Sequence, residues 1–113
     1  MATDCLFCRI ASGEIPATKV AENDHCIAFR DISPKAPTHI LVIPREHVPS
    51  LNQVDSATLA GEVLLMAARV ARDEGIAESG YRVTLNTNGD GGQTVFHLHA
   101  HVMGGRAMHW PPG

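Results

Sequence analysis

Hydrophobic and polar positions alternate most clearly over residues 97–103, which read His-Leu-His-Ala-His-Val-Met. In an extended strand, successive side chains point to opposite faces. His97, His99 and His101 then share one face, about 6.6 Å apart. Leu98, Ala100 and Val102 share the other face and can pack into a core. On a helix the same residues would spread around the cylinder and the row would be lost. The pattern therefore predicts a strand with a dry side and a row of three imidazoles. Residues 38–43, Thr-His-Ile-Leu-Val-Ile, are the most strand-like run, ended by Pro44. Residues 19–22 and 25–30 predict a hairpin turning at Asn23-Asp24. Residues 81–86 alternate as a further strand.

Leu59, Val63, Met66 with Ala67, and Val70 recur at helical spacing. They predict one long helix, capped at Asp55 or Ser56 and stopped at Gly75. Glu62, Arg69, Arg72 and Asp73 fall largely off this apolar stripe. Residues 5–11 predict a short N-terminal helix, ending near Ser12-Gly13. These elements fit the α+β class: a roughly five-stranded, mostly antiparallel sheet with one long helix and a short N-terminal one. The length of 113 residues suits a single domain, 1–113, and is too short for two comfortable cores.

Composition narrows the partners. A net charge of -3 leaves no basic stripe, so neither nucleic acid nor an anionic membrane is expected. No apolar run approaches the ~20 residues of a membrane-spanning helix. Met1-Ala2-Thr3-Asp4-Cys5 lacks the basic and apolar regions of a signal peptide, so a cytoplasmic location is expected. The three cysteines are an odd count and argue against a disulfide framework. Cys26, in Cys26-Ile27-Ala28-Phe29, reads as a small buried hydrophobe.

Candidate chemistry gathers around the histidines. Asn88-Gly89-Asp90-Gly91-Gly92-Gln93-Thr94 is a glycine-rich loop. By itself it reads as a hairpin turn. Directly before three histidines, with Gln93 and Thr94 as hydrogen-bonding groups, it becomes a candidate phosphate cradle. It is not a Walker loop, since no Gly-Lys-Ser/Thr follows. A neutral imidazole can attack phosphorus, and a second can stabilise or protonate. His99, flanked on both sides, is the natural nucleophile. Asp31 after Phe29 could bind a ribose diol, although an Asp before Ser-Pro is by itself a turn residue. Cys5 and Cys8 form a C-x-x-C pair. With His47 and His97 it could complete a tetrahedral zinc site; two unliganded thiols or a redox pair remain alternatives.

At these residues the chain resembles the histidine triad (HIT) family, and its Hint branch in particular. The resemblance is carried by Phe29-Arg30-Asp31-Ile32-Ser33-Pro34, by Ala36-Pro37-Thr38-His39-Ile40-Leu41-Val42-Ile43-Pro44, by Gly91-Gly92-Gln93-Thr94-Val95, by the triad and by the terminal Trp110-Pro111-Pro112-Gly113. It implies a homodimer whose sheets join, each subunit binding a purine nucleotide such as AMP or a GMP derivative. It implies hydrolysis of nucleoside phosphoramidates and related aminoacyl-adenylates through a nucleotidyl-histidine. On that likeness His99 is the nucleophile, with His97 and His101 beside it, His101 near the phosphate and His39 in support. Asp31 holds the ribose. Phe7, Ile15, Phe29 and Ile32 form the base pocket. Asn86, Gly92, Thr94 and Val95 contact the phosphate and leaving group, and Trp110 reaches the partner's site. Two departures stand out. Thr94 occupies a position that is commonly serine in Hint proteins. Cys5 and Cys8 are absent from many of them, but other branches bind a structural Zn2+ through this pair and histidines matching His47 and His97. A dinucleoside polyphosphate hydrolase, and a zinc-stabilised nucleotide-binding module without catalysis, are the competing functions.

Overall fold

The computed structural model describes residues 4–113. Helix α1 (Leu6–Ala11) opens the fold, and the Cys5 sulfur accepts the Cys8 N–H at its start. Strands β1 (Lys19–Glu22) and β2 (Cys26–Arg30) form the expected hairpin. The Asn23 side-chain oxygen accepts the N–H groups of His25 and Cys26, an Asx turn that reverses the chain. Strand β3 (Thr38–Pro44) follows. Helix α2 (Ala57–Asp73) is capped by Ser56, whose Oγ accepts the Leu59 N–H. Gly75, at φ +75°, turns the chain away beyond its end. Strand β4 (Tyr81–Thr84), the single helical turn α3 (Asn88–Gly91) and strand β5 (Ala100–Gly104) complete the fold.

The five strands lie in the order β1-β2-β3-β5-β4, and every neighbouring pair is antiparallel. Period-two alternation assigns the two faces. Cys26 and Ala28 of β2, Ile40 and Val42 of β3, and Ala100 and Val102 of β5 pack beneath α2. The helix contributes Val63, Met66, Ala67, Val70 and Ala71, which extends the predicted stripe by one residue. Burying each of the larger side chains stabilises the fold by about 1.5–3 kcal/mol. Ile27, Phe29, Leu41 and Ile43 face the other way and meet Phe7 of α1 in a second, smaller core. His39 and His101 share that face. The sheet is thus a wall with a structural side and a chemical side.

Three expectations need correction. Pairing in β5 begins at Ala100, so His97 and His99 precede the strand. There the Leu98 N–H donates to Val48 O at 2.7 Å, a loop carbonyl that takes the place of a ladder partner. β4 ends at Thr84, two residues short of Asn86. The glycine loop is not an open cradle over its whole length, because Asn88–Gly91 coils into a helical turn that Gly92 closes at φ +82°. Among the described residues, no helix is long and apolar enough to cross a membrane.

Candidate active site

A cleft of about 320 Å³ opens on the chemical side of the sheet. Phe7, Ile15, Phe29, Asp31, Ile32, Thr94, Val95, His99 and His101 all line it. Its apolar end also uses Leu6, Ile10, Pro16, Ala17 and Leu41. Composition could not single these out, because ordinary apolar residues become a wall only once α1 docks. Ile32 is fully exposed at the rim, where a planar ligand would cover it. Another cleft of similar size, about 330 Å³, lies near Asp24, Arg45 and Glu62 and takes in no member of the triad.

The histidine row keeps a common face despite the late start of β5. The Phe7 ring meets His97 and His99 edge-on, with centroids 6.0 and 5.0 Å away. His99 and His101 are 4.9 Å apart by the same measure. Backbone partners fix the tautomers of His97, His99 and His39, since a carbonyl can only accept and an N–H can only donate. His99 Nδ1 lies 2.7 Å from His97 O, so Nδ1 carries the proton and Nε2 keeps its lone pair. His97 Nε2 donates to Pro44 O at 2.8 Å, which leaves its Nδ1 unprotonated. The Lys35 N–H donates to His39 Nδ1 at 3.0 Å, so neutral His39 carries its proton on Nε2. That Nε2–H donates to His101 Nδ1 at 2.9 Å. His101 is left with its own proton on Nε2.

Electrostatics favour the neutral form of His101, His39 and His97. Burial, then the neighbouring His99 and His39, push His101 down to about 4. Burial pushes His39 and His97 below the ordinary imidazole value, against the opposing pull of Asp31 on His39 and of the Pro44 carbonyl on His97. The row therefore offers a nucleophilic lone pair on His99 beside a hydrogen-bond donor on His101.

Some expected contacts fall elsewhere. Gln93 is buried, and its amide is fully engaged with backbone. Its Oε1 accepts the Asn88 N–H at 2.9 Å, and its Nε2 donates to Pro49 O at 2.8 Å and Val95 O at 3.1 Å. Gln93 therefore shapes the loop and has no amide group free for a phosphate, which corrects the expectation from sequence. Asn86 and Gly92 belong to the loop that carries Thr94 but stand outside the cleft walls. Trp110 is 83% exposed on the C-terminal tail, which Arg82 holds by donating to His109 O at 2.8 Å. Sequence reasoning missed Arg82 and the Lys35, Pro44 and His97 backbone groups. Side-chain type carries no signal for a backbone carbonyl, so no motif could have found the last three.

Cys5, Cys8, His47 and His97 converge from three segments, their ligand atoms all within 4.8 Å of one another. Sγ–Nδ1 separations are 3.4 Å for Cys5–His97, 3.5 Å for Cys8–His97 and 3.3 Å for Cys8–His47. Tetrahedral zinc with ordinary Zn–S and Zn–N bonds would set them about 3.6 Å apart. The free lone pair on His97 Nδ1 completes the fit. Burial, then Cys5, push the Cys8 thiol up to about 11, and a cation would reverse that shift. A second cluster, Asp31, His39 and His101, is as compact but suits a metal poorly. His39 Nδ1 accepts the Lys35 N–H, so a metal on Nε2 would have to break that bond.

The HIT domain family model matches residues 12–108. This chain belongs to the HIT family. The HIT protein is 47% identical over 110 residues to the purine nucleoside phosphoramidase of Escherichia coli K12, covering 96% of this chain and 92% of that one. It superposes on the crystal structure of a HIT family hydrolase from Legionella pneumophila Philadelphia 1 with a TM-score of 0.94 and 51% identity, over 96% and 99% of the two chains. A Zn-bound histidine triad family protein from Mycobacterium smegmatis matches with a TM-score of 0.82 and 31% identity, over 94% and 78%. The triad thus sits in a HIT hydrolase frame.

Proposed function

We propose that this single-domain chain hydrolyses the P–N bond of purine nucleoside 5′-phosphoramidates and related aminoacyl-adenylates through a nucleotidyl-His99 intermediate. The observation that carries the reading is the 2.7 Å bond from His99 Nδ1 to His97 O, which turns the Nε2 lone pair toward the cleft. The base lies in the apolar end, between Phe7, Ile15, Phe29 and Ile32, and the ribose diol meets Asp31. His99 Nε2 attacks phosphorus and the P–N bond breaks. His101 Nε2–H stabilises charge growing on the phosphoryl group, with Thr94 beside it. Water then attacks the nucleotidyl-histidine and releases the nucleotide. The leaving amine takes up one proton in the first step and the water releases one in the second, so the histidines return unchanged.

Zn2+ would be held by Cys5, Cys8, His47 and His97, and would supply a cross-link between α1 and the segment before β5. A homodimer follows from the HIT likeness, supported by the open outer edge of β4 and the projecting Trp110.

The test is AMP release from adenosine 5′-phosphoramidate by wild type and His99→Ala, both first shown to be folded by circular dichroism. Turnover in wild type and its loss in the variant is the expected result. Equal turnover removes His99 as nucleophile. Faster turnover of a diadenosine polyphosphate moves the activity to that substrate class, and AMP binding without any turnover leaves a nucleotide-binding module.

A further inference from the structure

The least explained group on the chemical face is His39. It is 5% exposed and lines no part of the cleft, yet it stands between two residues that do. Its Nε2 lies 2.9 Å from His101 Nδ1 and 3.4 Å from Asp31 Oδ2. A single Nε2–H is therefore shared, with the histidine as the nearer acceptor and the carboxylate as the farther. Its direction cannot reverse, because the Lys35 N–H holds Nδ1 as an acceptor. The Ser33 N–H occupies Asp31 Oδ1 at 2.8 Å, which leaves Oδ2 as the oxygen that can answer to both the cleft and His39.

We propose that His39 is a positioning residue that couples recognition of the sugar at Asp31 to the donor strength of His101 at the phosphate. The proposal rests on the nucleotide reading above. A vicinal diol donating to the Asp31 carboxylate draws on its negative charge and weakens its hold on the shared proton. The His39 N–H then goes more fully to His101 Nδ1. Hydrogen bonds in a chain polarise one another, so a stronger bond at Nδ1 makes His101 Nε2–H a better donor. A ribonucleotide is then turned over faster, and not merely bound more tightly, than its counterpart without the hydroxyls.

The experiment uses full-length protein with 15N-labelled histidine rings, saturated in turn with adenosine and with 2′,3′-dideoxyadenosine. Both nucleosides share the base and the 5′-hydroxyl and neither carries a phosphate, so a difference between their responses at His101 reports the diol. Adenosine is expected to move the His101 ring nitrogens and dideoxyadenosine to leave them near their free positions. His39→Leu abolishes the difference. His39→Gln restores it, since its Oε1 can accept from Lys35 and its Nε2 can donate to His101. In turnover of the matching phosphoramidates, wild type and His39→Gln lose about tenfold in kcat without the diol, and His39→Leu loses none. Should His39→Leu fail to fold, the wild-type contrast and the His39→Gln rescue still decide. Identical His101 responses to the two nucleosides, or the same kcat ratio in His39→Leu as in wild type, overturn the coupling and leave the nucleotide reading standing. No binding of either nucleoside overturns both.

Discussion

Acid should destabilise this protein through His101, by an amount that follows from its surroundings. The ring is held near 4 by burial and by His99 and His39, whereas an unfolded chain returns it to about 6.5. Between these values the unfolded state binds more protons than the folded one, so stability falls as pH falls. The contribution is fully present above about 6.5 and is lost as pH drops toward 4. Linkage gives a loss of about 2 kcal/mol between pH 7 and pH 4.5 from this group alone. With a urea slope of about 1.5 kcal/mol per molar, the midpoint moves down by about 1–2 M. The assay is urea unfolding of chelator-treated protein at several pH values, wild type beside His101→Gln. His39 and His97 are displaced in the same direction and persist in the variant, as does Glu22, whose carboxyl Arg45 and Lys19 hold low. Only the difference between the two proteins therefore reports His101. The variant should show a shallower loss, by about 2 kcal/mol over the same interval. Equal pH dependence in the two proteins would show that His101 is protonated as readily in the fold as in solution, and would refute the neutral-donor assignment.

Gln93→Leu should cost about 2–4 kcal/mol in urea unfolding, because the Asn88 N–H and the Pro49 and Val95 carbonyls lose their partner. Gly104→Ala should cost about 1–3 kcal/mol by the same assay, since a Cβ there would meet Ile76 Cδ1 at 2.7 Å and Ile76 Cβ at 3.1 Å, too close for a rotamer change alone to relieve. Adding Zn2+ at a hundredfold excess over its Kd should raise Tm of metal-free wild type by about 10 °C in a thermal melt. Cys8→Ser, lacking one thiolate ligand, should show a much smaller rise, and an equal rise would place the metal elsewhere.

Local pattern alone determined a good deal. Alternation over residues 97–103 assigned the faces of the histidine segment, the stripe from Leu59 to Val70 marked the long helix, and Asn23 and the pair Asp55-Ser56 marked a turn and a cap. These properties repeat within a few residues, so sequence carries them. The C-x-x-C pair and the histidine row likewise named the residues around which both candidate centres form. Tertiary structure decided what each residue can do there. His99 Nε2 keeps its lone pair because one carbonyl sits 2.7 Å from Nδ1, and His97 Nδ1 is unprotonated because Pro44, 53 positions distant, accepts from its other nitrogen. Gln93 turned from phosphate ligand to loop brace once Pro49 came within reach, and His39 gained its place between Asp31 and His101 only when β3 paired with β5. A hydrogen bond depends on where two chain segments pack, to within a few tenths of an ångström. No local propensity encodes that distance, and so proton placement, unlike residue choice, belonged to the fold.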